Sequence, residues 1–180
     1  MPLEVFGADE QAAQSVDTLR WIRLAREVLA AEGVKGDAEL SLLFVDEAAI
    51  SELNRRFAGN DRPTDVLAFP IDEDPVEGGR YPDSGGSGPG WVPTEEDELP
   101  MLIGDVVICP AVAARNAVEH EATYDDEVAL LVVHGILHLM GMDHVDDDEA
   151  TAMERREQEL LDRFHREPKD AVTTPAPVSP

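Results

Sequence analysis

The chain has 180 residues, 43% of them hydrophobic, enough for one domain with a sizeable core. Its formal net charge of -25 sets 39 acidic residues against 14 Lys and Arg, with Lys35 and Lys169 the only lysines, so the broad positive field of a typical nucleic-acid binder is missing. One cysteine, Cys109, excludes an intramolecular disulfide and reads as a small buried apolar residue; the longest apolar run, Val128 to Val133, is too short for a membrane span.

The opening MPLEVFGADE carries no basic leader, and a cytoplasmic protein is expected. Leu3 to Phe6 suits a short edge strand. Ser15 or Asp17 can cap a helix running to about Ala31, with Leu19, Ile22, Leu24, Val28 and Leu29 as its core stripe and Gly33 as its end. Leu40 to Val45 reads as a buried strand. Asp46 then caps a second helix that carries Ile50, Leu53 and Phe57 and stops at Gly59-Asn60.

In RPTDVLAFP, Pro63 and Pro70 bracket a strand from Asp65 to Phe69, which favours a sheet edge or a cleft wall. From Asp72 to about Pro100 the composition collapses into Gly, Pro, Ser, Asp and Glu, the pattern of a long mobile loop at about 72–100. Met101 to Cys109 forms another strand, and Pro110 opens a helix at its favoured first turn. Thr123 can cap the next helix, with Asp126 completing a capping box and Asp125 and Glu127 favourable to the helix dipole.

That helix carries the chemistry. In HGILHLMGMDH, His134 and His138 stand four residues apart and therefore on one helical face, so two imidazoles can aim at one point. His144, six residues on, would face away if the helix continued. Gly141 sits where a left-handed glycine would reverse the chain and return His144 to the pair. Three nitrogens leave the fourth position of a tetrahedral zinc ion open, the arrangement of a catalytic site rather than a structural one, although nickel also suits imidazole nitrogens.

HExxH peptidases place a glutamate general base directly after the first histidine, and here that place is Gly135. Its missing side chain removes the base, and it serves equally to let a strand pack close to the helix. Asp143 can orient a ligand imidazole, shuttle a proton, or bond its own backbone in a turn. Asp105 can lie beneath the metal or cap a neighbouring turn, and Asp65 is similar; neither earns a catalytic role. His120 and His165 read as surface residues. Asp146 to Arg166 suits a final charged helix with Ala150, Met153, Leu160, Leu161 and Phe164 on its apolar side, and residues 167–180, ending TTPAPVSP, read as a disordered tail. Alternating strands and helices indicate an α/β or α+β layer domain, taken as residues 1–166.

PTDVLAFP, IGDVVICP and HGILHLMGMDH, in that order, resemble the YbeY family of bacterial endoribonucleases, also called rRNA maturation factors, over roughly residues 3 to 165. The resemblance implies a zincin-like fold, a small mixed sheet of about four strands packed with about five helices. It also implies one zinc ion per chain on His134, His138 and His144, and cleavage of single-stranded rRNA or its precursor during small-subunit maturation and ribosome quality control. Its partners would include a small-subunit ribosomal protein and the assembly GTPase Era, with no membrane association. Two departures stand out. The arginine that many members carry before the turn glycine is Ala58 here, leaving Arg62, Arg55 or Arg56 to hold a phosphate; Arg62, beside the cleft strand, is the first choice, and it reads equally as a solvated turn residue. The acidic loop before IGDVVICP is also lengthened. The alternatives are a ribosome-assembly factor that acts by binding and uses its metal for stability, or a zinc hydrolase for another substrate.

Overall fold

A computed structural model describes residues 3–35, 37–71, 101–142 and 146–166. The loop expected at 72–100, the tail from 167, and both Asp143 and His144 lie outside the described residues. Among those described, the order is β1 (Leu3–Asp9), α1 (Thr18–Ala31), β2 (Ala38–Phe44), α2 (Glu47–Ala58), β3 (Val66–Pro70), β4 (Met101–Ile108), α3 (Pro110–Glu119), α4 (Tyr124–Leu139) and α5 (Asp147–Leu161), followed by a π-helical turn, Asp162–Arg166. The mixed α/β architecture, four strands with five α-helices, is the one expected. No helix among the described residues is long and apolar enough to cross a membrane.

The strands form one sheet in the order β1-β2-β4-β3, with β1, β2 and β4 parallel and β3 antiparallel to β4. Chain order hides this arrangement, because β3 precedes β4 yet takes the outer place. A bulge between Glu39 and Leu40 shifts the β2–β4 register so that Leu40 faces Gly104. Gly104 has φ +142°, and a Cβ there would fall 2.4 Å from the Phe69 carbonyl oxygen, so only glycine lets β3 close on β4 at this point.

The helices end where local chemistry stops them. Asp17 caps α1, accepting from the Arg20 N–H at 3.3 Å; Asp46 caps α2 through the Ala49 N–H at 2.8 Å, and Gly59 closes α2 in the left-handed conformation. Pro110 stands in the first turn of α3, and Thr123 caps α4 through the Asp126 N–H at 3.1 Å. The buried face of α1 is Trp21, Leu24, Ala25, Val28 and Leu29, a run of i, i+3, i+4, i+7 and i+8. Leu19, expected in that stripe, lies off this face and is 73% exposed.

One core joins α1, α4 and α5 to one face of the sheet through residues such as Leu29, Leu40, Val106, Val132, Ile136 and Leu160. A smaller cluster of Val45, Ile50, Val107, Cys109 and Val112 lies on the other face against α2. Cys109 is fully buried, and that burial pushes its thiol above the usual range, so it packs as an apolar group. Helix α4 can approach β4 closely because residue 135 is glycine: a Cβ there would stand 2.6 Å from Val106 Cγ1. The packing reason for Gly135 is therefore sufficient in itself, and a glutamate at this position has no room as the site stands.

The expected final helix is divided. Asp146 caps α5, accepting from the Glu149 N–H at 2.8 Å, and the π-helical turn then swings His165 inward. His165 is not a surface residue: its side chain is 7% exposed, its Nε2 lies 2.8 Å from Asp126 Oδ1, and its ring lies beside Trp21. The hydrogen bond from His165 leads the causes that hold the Asp126 carboxyl below the usual range. The same carboxylate closes the capping box with Thr123, so one acid ties this last turn to the start of α4.

His120 is exposed, as expected, but its Nδ1 lies 3.1 Å from Oε2 of Glu127, a carboxylate buried on α4. The hydrogen bond to Glu127 raises the His120 pKa above its ordinary 6.5, with the neighbouring Glu119 and Asp65 adding to it. A raised folded-state pKa means that the pair's contribution to stability is complete below about pH 6.5 and is lost as pH rises through the folded value. Thermal unfolding of the wild type and His120→Gln should therefore differ at pH 6, and the difference should shrink as pH rises above the ordinary histidine range. A gap that stays constant or widens with pH would show that protonation of His120 is not what couples it to Glu127.

Candidate metal centre

Helix α4 presents His134 and His138 from successive turns, and their Nε2 atoms lie 3.0 Å apart with the rings edge to face at 81°. Two imidazoles on one tetrahedral ion, each bound at about 2.0–2.1 Å, need their nitrogens about 3.3 Å apart. The pair is within a few tenths of an ångström of that spacing, so it fits a shared metal.

The reversal expected after the helix is present. Gly141 has φ +92°, its N–H donates to the His138 carbonyl at 3.0 Å, and the Met142 N–H donates to the Leu137 carbonyl at 3.0 Å. These bonds make a Schellman-type turn that ends α4 and reverses the chain at Gly141. Gly141 has nothing within 4 Å of its Cβ position, so the positive φ, and not crowding, is what calls for glycine.

A third side chain, absent from the sequence reading, completes the described part of the centre. Glu157 of α5 is 6% exposed, and its Oε1 lies 2.5 Å from His134 Nδ1. An ionised carboxylate only accepts, so the proton sits on Nδ1 and the lone pair of His134 is on Nε2, the atom turned toward His138. A buried carboxylate behind a ligand imidazole is the usual way of fixing tautomer and ring angle. The signal is present in the sequence: Met153, Glu157, Leu160 and Leu161 share the buried face of α5, and Glu157 is the one charge on it. A carboxylate in an apolar stripe needs a partner, and here the partner is the histidine.

The two histidines line a cleft of about 440 Å³ together with Gly135 and the strand segment Asp65, Val66, Leu67, Ala68 and Pro70. The expectation that this strand takes a sheet edge and walls a cleft is met by β3. Asp65 is held structurally: its Oδ1 accepts from the Val66 N–H at 2.8 Å, and its Oδ2 accepts from Asn116 Nδ2 at 3.2 Å. Asp105 does not lie beneath the pair, because it alternates with Val106, the residue that packs on Gly135. Arg62 is exposed and outside the cleft lining; its backbone carbonyl is anchored by Nδ2 of buried Asn54 at 3.0 Å. Arg55 is paired with Glu52 at 2.6 Å.

A family model described as Endoribonuclease YbeY matches residues 7–165. The chain belongs to the endoribonuclease YbeY family. Endoribonuclease YbeY of Frankia casuarinae is 40% identical over 159 residues, covering 88% of this chain and 73% of that one. Endoribonuclease YbeY of Salinispora tropica is 44% identical over 161 residues, covering 89% and 94% of the two chains. The solution structure of TM1509 from Thermotoga maritima aligns over 99% of this chain and 100% of its own with a TM-score of 0.51 at 24% identity, a likeness of fold. The YbeY family is one of endoribonucleases, and the three segments that carry the resemblance fall at β3, at β4 with the start of α3, and at the end of α4.

Proposed function

We propose that this chain is a zinc-dependent endoribonuclease that hydrolyses phosphodiesters of single-stranded rRNA or its precursors in small-subunit maturation and ribosome quality control, in the cytoplasm. The observation that carries the reading is the pair of Nε2 atoms 3.0 Å apart at a cleft, backed by Glu157, in a chain of the YbeY family. In this reading His134, His138 and His144 hold one zinc ion per chain, and residues 1–166 act as one hydrolase domain. Bound there, zinc supplies a water with its pKa lowered to about 7 and a Lewis acid for a phosphoryl oxygen.

The chain's own residues do the rest. Glu157 keeps the His134 proton on Nδ1, and the turn at Gly141 directs the chain toward the third ligand. Val66, Ala68 and Pro70 narrow the approach. Gly135 carries no peptidase base, which separates this site from the HExxH hydrolases. Arg62 is the proposed phosphate contact in place of the family arginine at Ala58, and Asp143 the proposed orienting or proton-carrying acid beside His144.

The charge of -25 favours the alternative reading, a ribosome-assembly factor that acts by binding basic ribosomal proteins and uses its metal for stability, with a small-subunit ribosomal protein and the GTPase Era as partners. Purified protein should cut a single-stranded RNA, lose that activity to a chelator, and regain it when zinc is restored. Cleavage that persists through chelation removes the zinc reading, and the absence of cleavage by metal-loaded protein leaves the binding role.

A further inference from the structure

Phe57, near the end of α2, is 64% exposed, although its spacing groups it with the apolar residues of its helix. It is not loose. Its ring packs on Phe69 of β3 with centroids 4.9 Å apart and planes tilted by 59°, and the Arg56 guanidinium lies 5.8 Å from its centroid. The loop beyond it is braced from inside the protein by Asn54, which is 5% exposed and holds the Arg62 carbonyl.

Location and charge distinguish this ring from a stray exposed apolar residue. Among the described residues β3 is one of the sheet's two outer strands, and it lines the metal cleft from Asp65 to Pro70, with Phe69 alone in that span turned away toward Phe57. A chain leaving the cleft over the outer edge of β3 therefore meets the aromatic pair. The surrounding segment, RRFAGNDR, holds three arginines and one aspartate; Arg55 is paired with Glu52, which leaves Arg56 and Arg62 against Asp61, a locally basic balance in a sequence of 14 basic to 39 acidic residues.

The geometry points to Phe57, braced by Phe69 and flanked by Arg56, as a stacking platform for an unpaired base of the RNA strand that enters the cleft. Unpaired bases present π-faces that aromatic rings accept without sequence readout, and an arginine beside the ring adds a cation for the backbone. In a chain this acidic, stacking can supply affinity that the net field does not. The inference rests on the nuclease reading above and adds to it a substrate contact outside the metal ligands.

The test uses full-length, metal-loaded protein and a short single-stranded oligoadenylate RNA. Phe57→Ala should raise KM by about 5- to 100-fold with kcat unchanged, the loss expected for one base–aromatic stack that is made equally in the ground and transition states. Phe57→Trp should restore KM, and its added emission should be quenched on mixing with the single strand but not with a duplex of the same length. Val118→Ser, which alters another exposed apolar residue, on α3, should leave KM as in the wild type. An unchanged KM in Phe57→Ala, with cleavage intact, would overturn the platform and leave the nuclease reading standing. Added emission in the Phe57→Trp variant that responds to a basic peptide and not to RNA would also overturn it, in favour of protein docking. Wild-type protein that cuts no RNA would take down the nuclease reading and the platform together.

Discussion

His138→Ala should yield a folded protein that no longer retains metal and cuts RNA at least about a thousandfold more slowly. Two ligands on one helical turn act as a chelate, and removing one leaves the ion held too weakly to survive purification; the water activation it supplied goes with it. The fold should persist because α4 is secured by Val128, Leu131, Val132, Val133, Ile136 and Leu137, all buried, whereas His138 stands at the cleft wall. Circular dichroism would register the fold, elemental analysis the metal, and a single-turnover assay the rate. His120→Gln, which alters a histidine outside the cluster, should retain both metal and rate. If His138→Ala keeps wild-type cleavage, the cleft on α4 is not the catalytic site.

Glu157→Gln should lower zinc affinity by about 10- to 100-fold while keeping the shape of the core, the range usual for losing a carboxylate behind a ligand histidine. Glutamine fills the same volume and still offers a carbonyl to the His134 Nδ1–H, so what is lost is the negative charge that fixes the tautomer and makes the imidazole a better donor. The affinity would be read by competition against a chelator of known strength. In metal-free protein, nitrogen-15 shifts of His134 would report the tautomer: protonated at Nδ1 in the wild type, and mixed in the variant. Equal zinc affinities with an unchanged tautomer would show that Glu157 is only a buried acid that happens to meet a histidine. Glu157→Leu is the harsher comparison, since it leaves the Nδ1–H without an acceptor.

Much of this site is legible along the chain because its parts are local. The i, i+4 histidines, the helix stop at Gly141, the Thr123 and Asp46 caps and the prolines around β3 each act over a few residues, and each is found where its chemistry puts it. Glu157 escapes such a reading because its partner lies 23 residues away on another helix. Within its own helix it looks like one more surface acid among many, and only its place between Met153 and Leu160 betrays it. His165 escapes for the same reason: a π-helical turn, invisible in the spacing, carries it to Asp126, 39 residues earlier. On α1, Leu19 draws attention by its side chain alone, whereas the period through Trp21, Leu24, Ala25, Val28 and Leu29 places it outside the core. Sheet order is out of reach because β3, an outer strand, comes before β4 in the chain and pairs with it in the opposite sense.

In the proposed centre, His134 and His138 share one metal ion with a third imidazole and leave a position open. Zinc K-edge absorption spectroscopy on untagged, full-length protein, with metal content measured on the same sample, would read that coordination shell. The expected result is one zinc per chain with four light-atom neighbours at about 2.0–2.1 Å, three of them imidazoles and the fourth exchangeable with an added small anion. A sulfur neighbour, a fourth ligand that no anion displaces, or a protein that purifies and cuts RNA without stoichiometric metal would contradict it.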